Sequence, residues 1–271
     1  MTSEARDASR ESGAPIYLYL FARQSSVWRY TNADRAIVFG GATYTPAAIT
    51  HGSIRIGGDS SNDRIDVSLP RDLDVAGNWV PFPPADAVMC TVFETHDGET
   101  DALMRATGRV VQPRWTDTTL TLVCEPTLTL TRGAAPSPRL QGSCWKTLYS
   151  QGPGMCNVDP EAHRVLGTLA SVSGFTLNVA AAATFPDGRL VNGTVEWTRS
   201  DGIHEIRTIV AHAGNLITVD YGTSEWPTDL SLLPGCRQSW DDCNGYFNNA
   251  ANCGALEYIP KRNPHDGNPV R

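Results

Sequence analysis

The chain has no basic run. Arginine far outnumbers lysine, the formal net charge is −7, and charged residues make up only 19% of the 271 positions. The electrostatic footprint of a nucleic-acid-binding protein is therefore missing. Long apolar stretches are missing too: the longest weakly polar segment, Phe175 to Phe185, is interrupted by Thr176, Asn178 and Thr184 and is too short to span a bilayer. The opening residues, Met1-Thr-Ser-Glu-Ala-Arg-Asp7, are polar and mixed in charge, with no apolar centre of the kind a secretory leader requires. With no leader and an odd total of seven cysteines, the thiols are expected to be free or metal-bound in a reducing cytoplasm, not paired as disulfides. No heptad, internal repeat or low-complexity block is present.

The chain does have many turns and short strand-like runs. With 24 glycines, 18 prolines and recurrent Thr and Val, it reads as mainly β. Residues 1–13 read as a disordered tail, 14–135 as an N-terminal β-sandwich or barrel-like domain, 136–260 as a small C-terminal β-barrel module, and 261–271 as an extended tail. In the first domain the runs Ile16 to Ala22, Val27 to Tyr30, Ala36 to Phe39, Ala42 to Pro46, Ile54 to Gly57 and Arg64 to Leu69 predict strands. So do Ala87 to Phe93, Ala106 to Val111 and Thr118 to Glu125. Gly40-Gly41 predicts a tight hairpin. The stretch Leu128 to Leu140 collects Pro, Gly and Ser and marks the connection. Beyond it, five strands are predicted over Val165 to Ser173, Phe175 to Val179, Gly188 to Thr198, His204 to His212 and Leu216 to Tyr221.

Four cysteines flank this second set of strands as two pairs, Cys144 with Cys156 and Cys236 with Cys243. Four thiolates can close a tetrahedral zinc or ligate an iron–sulfur cluster. The spacings, eleven and six intervening residues, match neither a CxxC zinc knuckle nor a ferredoxin run. Spacing alone leaves a shared metal site and four separate free thiols both open. Neighbouring ends are common in a compact β unit, so the pairs have a route to meet at the mouth of the barrel. Cys253 is a spare or substitute ligand. Cys90 and Cys124 sit in alternating apolar strands and read as core.

Other residues carry weaker signals. His163 lacks the oriented third group of a cysteine–histidine enzyme. His204 and His212, evenly spaced, are expected on one strand face. Asp159, Glu161, Asp241 and Asp242 read as solvated loop acids, and Trp145, Trp240, Tyr246 and Phe247 as an aromatic wall around the cysteines.

Val27-Trp-Arg-Tyr-Thr-Asn-Ala-Asp-Arg35, Thr43-Tyr-Thr-Pro-Ala-Ala-Ile49, Val67-Ser-Leu-Pro-Arg-Asp72, Cys144-x3-Leu148-Tyr149, Cys156, Pro234-Gly-Cys236, Cys243 and Phe247-Asn-Asn249 resemble the tail-tip hub proteins of long-tailed phages and gene transfer agents. More distantly they are similar to the minor tail protein L of lambda-like phages. The resemblance covers nearly the whole chain. It implies a non-enzymatic virion protein of the tail tip or baseplate, present in the host cytoplasm before assembly and then as a homotrimeric ring. Its implied partners are the distal tail protein ring and the central tail-tip or receptor-binding protein. It also implies a [4Fe-4S] cluster on Cys144, Cys156, Cys236 and Cys243, clasping the C-terminal module, with zinc as the alternative metal. A different class, a cysteine-dependent hydrolase or redox enzyme acting during entry, would need a reactive exposed thiol beside a base.

Overall fold

The computed structural model describes residues 15–54, 64–99, 101–126 and 141–259. The expected tails, the strand beyond Ile54 and the connection over 128–140 lie outside the described residues. Two compact units result, one holding the first nine strands and the other the last six.

In the first unit, β1 (Ile16–Arg23), β2 (Ser26–Thr31), β3 (Ile37–Phe39), β4 (Ala42–Pro46), β5 (Thr50–His51), β6 (Ile65–Pro70), β7 (Met89–Thr95), β8 (Leu103–Trp115) and β9 (Thr119–Pro126) form one sheet. Its order is β3-β4-β2-β1-β7-β8-β9-β6-β5. A single open nine-stranded sheet thus stands where a sandwich or barrel-like domain was expected. Strand pairing decides this, because β1 joins β7 from far along the chain instead of only its hairpin neighbour β2.

Alternation in sequence becomes one apolar face. Tyr19 and Phe21 of β1, Val67 and Leu69 of β6, Cys90 and Val92 of β7, and Leu120, Leu122 and Cys124 of β9 form one buried cluster, joined by Val75 and Trp79 from a 3-10 turn. Cys90 and Cys124 are core residues, as their strand positions imply. Between β3 and β4, Gly40 and Gly41 adopt φ of 58° and 75°, the left-handed pair that a two-residue hairpin requires.

The Tyr19 hydroxyl lies 2.7 Å from His51 Nδ1. Burial lowers the His51 pKa, against a smaller opposing pull from the Glu94 carboxylate. Native His51 therefore resists a proton that the unfolded chain accepts near pH 6.5. Its contribution to stability is complete above that pH and is lost as pH falls. Thermal melts from pH 7.5 to 5 are expected to show an acid-side loss that is shallower in His51→Gln.

In the second unit, β10 (Val165–Ser173), β11 (Thr176–Val179), β12 (Thr194–Thr198), β13 (His204–Ala213), β14 (Leu216–Val219) and β15 (Asp229–Leu233) close a barrel in the order β10-β11-β14-β13-β12-β15. Five of these correspond to predicted strands. The sixth, β15, completes the ring by pairing with both β10 and β12. Leu177, Val179, Val195, Ile209, Ile217 and Leu232 fill the interior. The predicted strand over Gly188 to Thr198 is shorter than expected, because residues 188–193 form turns before β12 begins.

His204 and His212 do not share a face. A register shift between Ile209 and Ala211 adds a residue to β13, leaving His204 exposed and His212 buried, where its Nε2 lies 3.1 Å from the Ala182 carbonyl. A bulge of this kind inverts the side-chain alternation beyond it.

Candidate metal centre

The two cysteine pairs lie on segments that leave the barrel at the end of β15 or precede β10. After β15 the chain runs through Gly235 and Cys236 into a short helix, α1 (Trp240–Gly245), which carries Cys243. Ser239 caps this helix, its Oγ accepting the Asp242 N–H at 3.2 Å, as an N-cap serine does. The first pair is held by a loop with left-handed Tyr149, Gly152, Gly154 and Asn157. The Asn157 N–H donates to the Ser150 carbonyl at 2.7 Å, and the Asn157 side chain accepts the Gly152 N–H at 2.7 Å. Tyr149 Oη donates to the Pro234 carbonyl at 2.8 Å, and the Cys144 N–H to the Gln238 carbonyl at 2.6 Å. These bonds fasten the first loop to the second.

Close backbone approach underlies this arrangement. A Cβ on Gly193 would lie 2.1 Å from the Leu233 carbonyl oxygen, and one on Gly235 would lie 1.9 Å from that of Val191. Backbone cannot yield as a flexible side chain does. Gly235→Ala is expected to destabilise the second unit by about 3 kcal/mol, the upper range for overpacking, read as a lower denaturant midpoint.

Cys144, Cys156, Cys236 and Cys243 all line one cavity of about 480 Å³, together with Trp145, Lys146, Tyr149 and Phe247. Each sulfur has a polar neighbour. Cys144 Sγ accepts the Gly254 N–H and Cys236 Sγ the Gln238 N–H, both at 3.3 Å. Asn249 Nδ2 approaches Cys156 Sγ at 3.8 Å, and the Cys243 thiol donates to the Asn249 carbonyl at 3.3 Å. All seven cysteines are free thiols. Burial, then the charges of Asp242 and Cys144, push the Cys236 thiol up to about 11 against the Gln238 N–H. Burial and then Cys253, Cys236 and Cys156 push Cys243 up to about 12. A cation bound among these thiols would act in the opposite sense and favour the thiolates.

Among the described residues that line the cavity there is no carboxylate or imidazole, so the thiols' chemistry suits soft metals and clusters bound by thiolates. Among the described residues, no three His, Cys, Asp or Glu side chains are grouped to hold a metal ion. Four sulfurs each about 2.3 Å from one zinc would be crowded together, whereas a cluster spreads its ligands around a larger body. Lys146, which also lines the cavity, would set a cation beside a thiolate-bound group that is itself anionic.

Cys253 does not line the cavity; its side chain is hydrogen-bonded to Cys243. Trp145 and Phe247 wall the site as expected, but Trp240 and Tyr246 do not and both are exposed. His163 packs on aromatic rings, with its centroid 5.0 Å from that of Phe247 and 5.9 Å from that of Tyr246. Burial and the neighbouring Arg189 lower its pKa. Glu161 is a surface acid paired with Arg164.

Asp242 overturns the reading of a solvated acid. It is buried, pairs with Arg189 and accepts the Arg237 N–H at 2.9 Å. Burial pushes its carboxyl up, but the Arg189 and Arg237 bonds and the Cys236 thiol together outweigh that and leave it lowered. Arg189 itself, unremarked in the sequence, lies with its guanidinium 3.4 Å from the Tyr246 ring centroid. Asn249 and Lys146 were missed as well. The Asn-Asn after Phe247 is part of the resembling pattern, but nothing local assigns it a role.

Residues 188–263 match the family described as "Phage conserved hypothetical protein BR0599". This span contains Arg189, Cys236, Cys243 and Asn249 but not the first cysteine pair. Over 99% of this chain and 96% of the other, the fold superposes on a chain of the "Virion of native gene transfer agent (GTA) particle", with a TM-score of 0.79 at 17% identity. The chain thus shares its fold with that virion protein and, over residues 188–263, the pattern of a phage-conserved family. The likeness to phage and gene-transfer-agent proteins implied by the sequence motifs is borne out. The chain is also 37% identical over 182 residues to an uncharacterized protein of Xylella fastidiosa (strain 9a5c), an alignment spanning 63% of this chain and 38% of that relative. No helix among the described residues is long and apolar enough to cross a membrane.

Proposed function

We propose that the protein is a structural subunit of a phage or gene-transfer-agent tail, acting as a baseplate hub at the tail tip. In this reading it forms a homotrimeric ring between the distal tail protein ring and the central receptor-binding or fibre-anchoring protein. A [4Fe-4S] cluster on Cys144, Cys156, Cys236 and Cys243 fastens the entry and exit of its barrel. The observation that carries the reading is the convergence of four cysteines from two distant pairs on one cavity, within a chain whose fold follows a virion subunit almost end to end. When bound, the cluster supplies a rigid cross-link between segments that otherwise meet through a few hydrogen bonds. Cys236 and Cys243 lend no support to a nucleophile, because burial raises their pKa values and a reactive thiolate needs the opposite.

Anaerobic purification tests the metal. Brown protein with about four iron and four sulfide per chain, the composition of the cluster, supports the reading. Colourless protein with stoichiometric zinc replaces the cluster by zinc, and metal-free protein with one rapidly alkylated cysteine favours the entry enzyme. Native mass measurement of the assembled ring tests the trimer.

A further inference from the structure

Asn249 touches both cysteine pairs. Its side-chain Nδ2 donates to the Cys156 carbonyl at 2.6 Å and approaches the Cys156 sulfur at 3.8 Å. Its own carbonyl accepts the Cys243 thiol at 3.3 Å, and its N–H donates to the Cys243 carbonyl at 2.9 Å. The amide is held one way round, because Asn252 Nδ2 donates to Asn249 Oδ1 at 2.8 Å. Asn252 is held in turn by Lys146, whose Nζ donates to the Asn252 carbonyl at 2.6 Å and to the Met155 carbonyl at 3.2 Å. A hydrogen-bonded path thus runs from the loop of the first pair, through Asn252 and Asn249, to Cys156 and Cys243. No metal is required to complete it.

We infer that Asn249 is the positioning residue of the cysteine centre, holding Cys156 against Cys243 and donating a side-chain N–H toward the Cys156 sulfur. The second part rests on the iron–sulfur reading above; the first does not. Outer hydrogen bonds of this kind orient metal ligands and tune the metal. An N–H directed at a ligand sulfur stabilises the more negative, reduced state of a cluster and so raises its potential. Aspartate in place of Asn249 keeps the shape, removes the donor and adds a negative charge. Alanine removes the side-chain arm to Cys156 and leaves the main-chain bonds to Cys243 in place.

The experiment uses full-length wild type, Asn249→Asp and Asn249→Ala. In loaded protein, dithionite delivers one electron to the [4Fe-4S]2+ cluster to give [4Fe-4S]+, with no bond broken, and electron paramagnetic resonance follows the titration. Both variants are expected to have a lower midpoint, by up to about tenfold in the oxidised-to-reduced ratio, or about 59 mV for one electron. A loaded variant with the wild-type potential overturns the tuning role. In chelator-treated protein, iodoacetamide labelling of Cys156, read by peptide mass spectrometry against Cys243 as the internal reference, is expected to be several-fold faster in Asn249→Ala. Labelling at the wild-type rate overturns the positioning role. Wild type lacking iron and sulfide sinks the cluster reading and the tuning role with it, while the labelling result still decides positioning.

Discussion

Cys243→Ser is expected to strip iron and sulfide from the purified protein and to lower the melting midpoint of the second unit by about 10 °C. Cys90→Ser should leave metal content unchanged. The contrast follows from position. Cys243 lines the cavity from α1, and serine there changes little else, since the helix keeps its Ser239 cap. The hydroxyl is a poor ligand at neutral pH, so one corner of the proposed cluster would be lost while the remaining thiols stay grouped. Metal binding to such a site is folding free energy, and a loss of about 3 kcal/mol corresponds to a shift of roughly 10 °C in a domain of this size. Cys90 lies in the core of the other unit beside Cys124, where a hydroxyl costs packing and desolvation but touches no ligand. Equal iron in wild type and Cys243→Ser would remove Cys243 from the ligand set.

Arg189→Ala is expected to cost about 3–5 kcal/mol, the usual penalty for leaving a buried charge without its partner. Both side chains of the Arg189–Asp242 pair are 7% exposed, so water does little to replace the lost cation. The guanidinium also sits over the Tyr246 ring, a contact worth up to about 2 kcal/mol when desolvated. Arg189 Nε and Nη2 have no hydrogen-bond acceptor among the described residues, so the pair's favourable energy is concentrated in Asp242 and the ring face. Two further variants separate charge from volume. Arg189→Met fills the space but strands the carboxylate and should remain strongly destabilised. Adding Asp242→Asn removes that charge and should recover part of the loss in urea unfolding. A double variant no better than Arg189→Met would show that packing, not the ion pair, dominates.

Much of the fold was legible because strands with one wet face write their burial into alternate residues. β10 falls on the predicted Val165 to Ser173, and the hairpin at Gly40-Gly41 needed only its two glycines. β15 was invisible for the complementary reason: Leu230, Ser231, Leu232 and Leu233 are all buried, so the segment shows no alternation, and prolines at 227 and 234 make it resemble a loop. Whether the first unit held one sheet or two depended on the β1–β7 pairing, which no local pattern records. At the cysteine centre, residue type and number pointed to the four thiols. Their supports could not be read in the same way. Arg189 follows an ordinary Asp-Gly turn, and Asn249 is one of many asparagines; each acquires its role only through partners distant in sequence.

The place of β15 in the barrel also bears on how the protein is made. Val165 pairs with Leu232, and Thr194 with Leu233, so a chain emerging from the ribosome must hold β10 and β12 with exposed edges until β15 arrives. Cys236, Cys243 and the Gly254 N–H that meets Cys144 come later still. The pocket for the cysteines is therefore among the last parts of the described chain to form during synthesis. A cofactor held by all four thiols could be received there only once β15 and the segment carrying Cys236 and Cys243 have been made.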